Sequence, residues 1–195
     1  MQKVAVITGA GGAIAQSVVK VFADAGWQLA LFSHSDRETE RLKHHYSDAL
    51  VVQADLADEK TSHIAVTEVL EHFPKVDALL NIAGGFAMHS AVDTGLEALE
   101  QQLSINLKTV VNTTRALLPS MLEHKSGFIL GVGAGPALTG GARMAAYAAS
   151  KAAMSAYLKS LALELESAGI GVSIVYPMGT VDTPNNRHSM PDADP

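Results

Sequence analysis

The chain has 195 residues, 48% of them hydrophobic, no cysteine and a formal net charge of −6. That length holds one domain, 1–195, with a substantial core; the absent thiols exclude disulfides and thiol catalysis, and no Lys/Arg stripe is available for a nucleic-acid backbone. No apolar run is long enough to span a bilayer and the chain starts directly in strand-like sequence, so a soluble, cytoplasmic protein with a small-molecule partner is expected.

In chain order, Lys3–Thr8 reads as a buried strand. It is followed by the turn Gly9-Ala10-Gly11-Gly12-Ala13-Ile14-Ala15 and a helix over Ala13–Ala25, with Gly26 where a C-cap belongs. A strand running into a glycine-rich turn and a helix opening is the setting in which a nucleotide pyrophosphate sits on a helix N-terminus. Further strands are expected at Gln28–Phe32, Ala49–Gln53, Asp77–Asn81, Gly127–Val132 and Gly171–Tyr176. Helices are expected at Asp36–Tyr46, Glu59–Phe73, Leu96–His124 and Tyr147–Ala168, the last ending at Gly169. Strands apolar on both faces, alternating with helices, imply an α/β fold: a doubly wound, Rossmann-type parallel sheet with helices on both faces, three layers deep. Such sheets bind ligands outside the carboxyl ends of their strands, where the strand order reverses. The glycine-rich stretch Gly131–Gly141 reads as an active-site loop, and the tail Thr183–Pro195 as a lid or a frayed end.

The most informative stretch is Tyr147-Ala148-Ala149-Ser150-Lys151. A Tyr and a Lys four residues apart share a helix face, and an ammonium beside a phenol favours its ionised form, so the pair can exchange a proton near neutral pH. The eight histidines include no pair at helical ligand spacing with a carboxylate partner, so no metal site is expected.

With the glycine turn and the Tyr-x-x-x-Lys segment together, the chain resembles the short-chain dehydrogenase/reductase family over nearly its whole length. Thr8-Gly9 followed by Ile14 matches the family's cofactor turn, Asp55-Leu56 its adenine-side acidic residue, and Asn81-Ile82-Ala83-Gly84 its Asn-x-Ala-Gly element. Asn106 stands at the place of the family's catalytic Asn, where a distorted helix can hold a water in a proton relay; Pro177 to Thr183, including Gly179 and Thr180, matches the stretch bordering the nicotinamide. The resemblance implies a nicotinamide cofactor held by Gly9, Gly11, Gly12, Ile14, Asp55, Leu56, Asn81, Ala83, Gly84, Pro177, Gly179 and Thr180, with Tyr147, Lys151 and Asn106 catalytic. It also implies a homodimer through the two long helices. The family continues past such a tail with another helix and a seventh strand, which are not in the sequence up to Pro195.

Three departures matter. Ala13 and Ala15 replace two glycines of the usual turn, adding methyls near the phosphates. Ala134 stands where the family places its catalytic Ser, which removes a hydroxyl that would polarise a substrate carbonyl. Ser33 follows the second strand where an NAD-preferring site has an acid. Ser33 and Arg37 could instead receive a 2′-phosphate, which favours NADP(H) with NAD(H) as the alternative, although Arg37 reads equally as the polar first turn of the next helix. The Ser-less loop, the run Ala83-Gly84-Gly85-Phe86 and the tail Asp182 to Pro191 are most similar to the dihydropteridine reductase subgroup. That similarity implies reduction of quinonoid dihydropteridine, an acceptor already electrophilic enough to need no Ser. Gly85, Phe86, Ala134, Met144 and Met178 are the expected pocket walls. A general carbonyl or quinone reductase, and a non-catalytic NADP(H)-binding sensor, are the alternatives.

Overall fold

The computed structural model describes residues 2–179 together with Val181, Thr183 and Arg187. Its strands are β1 (Val4–Ile7), β2 (Gln28–Ser33), β3 (Leu50–Gln53), β4 (Ala78–Asn81), β5 (Gly127–Val132) and β6 (Ile170–Val175). They form one sheet in the order β3-β2-β1-β4-β5-β6, parallel throughout. The order reverses between β1 and β4, where Ala5 pairs with Ala78, and this switch point places the site.

The helices are α1 (Ala13–Asp24), α2 (Asp36–His45), α3 (Glu59–His72), α4 (Leu96–Leu103), α5 (Thr109–His124), α6 (Pro136–Thr139) and α7 (Ala145–Leu165). Alternation along the strands builds a core on each face of the sheet. Val4, Val6, Phe32, Leu79 and Ile129 pack with side chains of α3, α5 and α7. On the other face Ala5, Ile7, Leu31 and Leu80 pack with Ala15 and Val19 of α1 and Leu42 of α2. Beyond β1 that second face is thinly covered: Phe128 of β5 is 40% exposed and Val175 of β6 is 52% exposed. A groove of about 870 Å³ runs there between α1 and the strand starts, bordered by Lys3, Trp27, Lys75 and Phe128.

Two helix starts carry side-chain caps: Ser35 Oγ accepts from Glu38 N at 3.4 Å and Asp58 Oδ1 from Thr61 N at 2.7 Å. The Thr61 bonds hold the Asp58 carboxyl below its usual range. The expected single helix Leu96–His124 is interrupted. Ser104–Lys108 forms a π-helical turn between α4 and α5, a local widening that occurs preferentially at functional sites. The glycine-rich loop also contains the short helix α6, started by Pro136 at its first position. Among the described residues no helix is long and apolar enough to cross a membrane.

Candidate active site

The carboxyl ends of β1 and β4 are locked together by one hydroxyl. Thr8 N donates to Leu80 O at 3.0 Å, and Thr8 Oγ1 accepts from Ile82 N at 3.0 Å and Ala83 N at 2.9 Å. This holds Ala83 against the glycine turn, so closely that a Cβ on Gly9 would lie 2.8 Å from Ala83 Cα; Gly9 also has φ 61° and is glycine on both counts. Gly12 then opens α1 with no side-chain cap and no acidic residue in the first turn. The N–H groups of that end, and its positive dipole, are left for an anion. The cradle fits a dinucleotide pyrophosphate, and the methyls of Ala13 and Ala15 do not fill it: Ala15 turns into the core at 1% exposure, while Ala13 lies on the exposed side.

Asn106 sits at the centre of the π turn with no exposed surface. Its Oδ1 accepts from Gly85 N at 3.0 Å; its Nδ2 lies within bonding distance of Gly85 O (3.0 Å), Gln102 Oε1 (3.2 Å) and Ser150 Oγ (3.1 Å). Ser150 in turn donates to Tyr147 O at 2.8 Å. One amide therefore fixes the loop after β4 to the turn of α7 that carries Tyr147. Lys151 comes to the same point, its Nζ donating to Val132 O at 2.8 Å. Gly84 lies between them: a methyl there would stand 2.8 Å from Asn106 Oδ1 and 3.2 Å from Lys151 Nζ. Phe86 stands edge-on to the Tyr147 ring, with centroids 4.9 Å apart.

The electrostatics differ from the expected ones. Lys151 was expected to lower the Tyr147 pKa, but burial raises the phenol above its ordinary value, because removing water from a group disfavours its charged form. The same burial lowers Lys151 to about 8. Burial thus favours the neutral phenol at Tyr147, and the Lys151 ammonium is poorly solvated and donates to a backbone carbonyl.

Two further expectations change. Ser33 is buried and its Oγ lies 2.7 Å from Thr39 Oγ1, so the hydroxyl faces into α2 rather than toward a phosphate, while Arg37 is exposed. Asn81 is likewise turned inward. Its Oδ1 accepts from Thr113 Oγ1 at 2.8 Å and its Nδ2 lies 3.4 Å from Thr114 Oγ1, which makes it a clasp between β4 and α5 rather than a contact for the cofactor. Asn106 stands in a distorted turn of the helix, as expected, and its amide is engaged by protein groups and positions its neighbours. Asp55 does stand exposed beyond β3, its carboxylate accepting from Ala57 N at 3.0 Å, with Leu56 buried beneath. Of the expected pocket walls, Ala134 is buried, Gly85, Phe86 and Met144 are half-buried, and Met178 is 69% exposed. Gly135 N donates to Pro177 O at 3.0 Å, which joins the two loops above β5 and β6, with Gly179 exposed beyond them. Thr180, and most of the tail from Asp182 to Pro191, lie outside the described residues.

Two further residues support the site. Asn112 donates to Leu56 O (3.0 Å) and Ala57 O (3.1 Å), steadying the Asp55 loop from α5. Arg143 takes φ 62°, uncommon for a residue with a side chain, and its carbonyl accepts from His89 N at 2.9 Å, tying the start of α7 to the loop after β4. Neither has a local sequence signature. Among the described residues no group of three or more His, Cys, Asp or Glu gathers where a metal ion could sit.

Similarity to known proteins covers almost all of the chain. The family described as short chain dehydrogenase matches residues 3–194. Oxidoreductase UcpA of Salmonella typhimurium is 35% identical over 205 aligned residues, covering 97% of this chain and 75% of that protein. Dehydrogenase/reductase SDR family member 7B of Mus musculus is 34% identical over 89% of this chain, which spans just 56% of that longer protein. Among solved structures, a 3-ketoacyl-(acyl-carrier-protein) reductase of Brucella melitensis complexed with NADH superposes with a TM-score of 0.85 at 31% identity, over 91% of this chain and 76% of that one. A short-chain dehydrogenase from Streptomyces avermitilis superposes at 0.88 with 27% identity, over 95% and 68%.

Proposed function

The chain belongs to the short-chain dehydrogenase family and is an oxidoreductase of that type; from this premise we propose that it transfers hydride between a nicotinamide dinucleotide and a small electrophilic acceptor, with Tyr147 as proton donor. The observation that carries the reading is the convergence of Lys151 and Asn106 on Gly84 and Gly85, with Tyr147 against the adjoining Phe86, at the point where strand order reverses.

Gly9, Gly12 and Ile14 would hold the pyrophosphate, Asp55 and Leu56 the adenine side, and Ala83, Gly84, Pro177 and Gly179 the nicotinamide side. When bound, the nicotinamide supplies the hydride. Tyr147 gives its phenolic proton to the acceptor, and burial keeps that proton in place until it is needed. Lys151 offers its ammonium to the phenolate left behind and to ribose hydroxyls. Asn106 and Ser150 keep the Tyr147 turn in register with the Gly84-Gly85 floor, and Phe86 fixes the ring from its edge.

Ala134 narrows the acceptor. It is 6% exposed and carries no hydroxyl, so an acceptor that needs its carbonyl polarised loses a transition-state hydrogen bond, typically worth about 10²–10³ in rate. This favours acceptors already electrophilic, with quinonoid dihydropteridine foremost. The expected result is nucleotide-dependent reduction of quinonoid dihydropterin, with the chemical background subtracted, at least about tenfold faster than reduction of a simple ketone. Faster turnover of ketones than of the pterin would reject the acceptor and leave a general carbonyl reductase.

We place the working protein in the cytoplasm as a homodimer joined through α5 and α7, along which Leu122 and Leu163 remain 42% and 80% exposed. A light-scattering mass of twice 20.4 kDa is the expected value; a monomer at micromolar concentration would refute the dimer.

A further inference from the structure

Gly11 is a glycine for which the backbone gives no reason. Positive φ in the turn belongs to Gly9 and not to Gly11, yet Gly11 is buried. What lies over it is the side chain of Glu38 from α2. A methyl on Gly11 would stand 2.4 Å from Glu38 Cδ, 2.6 Å from its Cγ and 2.8 Å from its Oε1. The carboxylate is held there by the backbone: Glu38 Oε2 accepts from His34 N, the first residue beyond β2, at 3.1 Å. Beside it Arg41, one turn along α2, donates to Gly11 O. The missing side chain at position 11 is the seat of a carboxylate that hangs between the end of β2 and the opening of α1.

A helix-capping role explains part of this. Ser35 and Glu38 form the S-x-x-E pattern, and Glu38 reaches back to a backbone N–H just ahead of its own helix. Capping does not require a glycine on another element, and it does not require the chain of Glu38 to lie across the phosphate turn. Position matters more: in a doubly wound sheet the place just past β2 and beside the glycine turn is where an acid meets the ribose hydroxyls of the adenosine half. Ser33, which ends β2, has its hydroxyl turned inward.

We propose that Glu38 takes over that task, accepting the 2′- and 3′-hydroxyls of the adenosine ribose and opposing a 2′-phosphate, so that the protein selects NAD(H) over NADP(H). The proposal rests on the reading of the chain as a nicotinamide-dependent reductase. It reverses the cofactor preference expected from Ser33 and Arg37. The cations of the same helix nearest in sequence are the exposed Arg37 and Arg41, Arg41 donating to the Gly11 carbonyl; with the carboxylate charge removed, a 2′-phosphate would meet these cations without the opposing anion.

The test is equilibrium binding of NADH and of NADPH, followed by nicotinamide fluorescence without any acceptor, to the wild type and to Glu38→Gln. The amide keeps an acceptor for His34 N, so the start of α2 is retained, and an unchanged melting temperature checks it. The wild type is expected to bind NADH the more tightly, and Glu38→Gln to move the ratio of the two dissociation constants toward NADPH by at least about tenfold. Binding of both nucleotides with a ratio unmoved by Glu38→Gln leaves Glu38 as a cap and overturns the proposal. Tighter NADPH binding by the wild type also overturns it, while leaving the reductase reading intact. Binding of neither nucleotide removes the reductase reading and the proposal together.

Discussion

Tyr147→Phe is expected to lower kcat by about 10²–10⁴, the range spanned by a positioned general acid, while the dissociation constant for the dinucleotide stays within about twofold of the wild type. The substitution removes one oxygen. The ring still stands against Phe86, and Ser150 still donates to the backbone carbonyl of residue 147, so the turn and its packing are unchanged. The loss should therefore appear in kcat rather than in nucleotide binding, which separates a proton donor from a residue that shapes the pocket. Because burial raises the phenol, the acid form is present throughout the neutral range, and wild-type turnover should not decline from ionisation of Tyr147 between pH 6 and pH 8. Steady-state kinetics of both proteins with quinonoid dihydropterin decide the matter; retention of wild-type kcat in the variant would remove Tyr147 from the mechanism.

The second large effect runs in opposite directions for activity and stability. Lys151 is 7% exposed, and burial holds its pKa at about 8 rather than 10.5. A displacement of that size corresponds to about 3 kcal/mol of opposition to the charged form. Lys151→Met would relieve it, at a cost of about 1 kcal/mol for the bond lost at Val132 O. The variant is expected to be inactive yet more stable than the wild type by about 1–2 kcal/mol at pH 7. The folded pKa lies below the unfolded one, so between about pH 8 and pH 10.5 the unfolded wild-type chain binds more protons than the folded one. Wild-type stability therefore rises with pH across that window through this group, and the advantage of the variant closes there. Urea unfolding of both proteins at pH 7, 9 and 10.5 measures the gap. A variant less stable at pH 7, or a gap that does not narrow, would show that the buried ammonium is not a destabilising element.

The elements that were legible in the sequence are those governed by short-range rules. Val4–Ile7 is a strand because it is an apolar β-branched run. The helices expected from Asp36 and Glu59 do begin there, where the side chains of Ser35 and Asp58 reach backbone N–H groups three residues on. Tyr147 and Lys151 could be paired because helical spacing is fixed by geometry. What the sequence hid depends on contacts between distant segments. The π turn at Ser104–Lys108 has no composition of its own; only the resemblance at Asn106 implied a distortion there, and its setting is visible through Asn106 reaching across to Gly85 and Ser150. Ser33 looked available because it ends a strand, but Thr39 takes its hydroxyl. Asn81 matched a motif and proved to be a clasp for Thr113. Gly11 was legible as part of a phosphate turn, whereas its close neighbour Glu38 lies beyond a whole helix and strand.

The place of β1 in the sheet also governs how the chain is made. β1 is flanked by β2 on one edge and β4 on the other, and the bond from Val4 N to Asp77 Oδ2 spans 73 residues. A ribosome releases one edge partner soon after β1 and the other only after α2, β3 and α3 have emerged. Loops of that length close slowly, and parallel pairings across them rank among the late events of folding. Until then one side of Val4–Ile7, among the most apolar segments of the molecule, presents unpaired N–H and C=O groups. Chaperone demand during synthesis should therefore peak before Ala78–Asn81 leaves the exit tunnel and fall once Thr8 can close on Ile82 and Ala83.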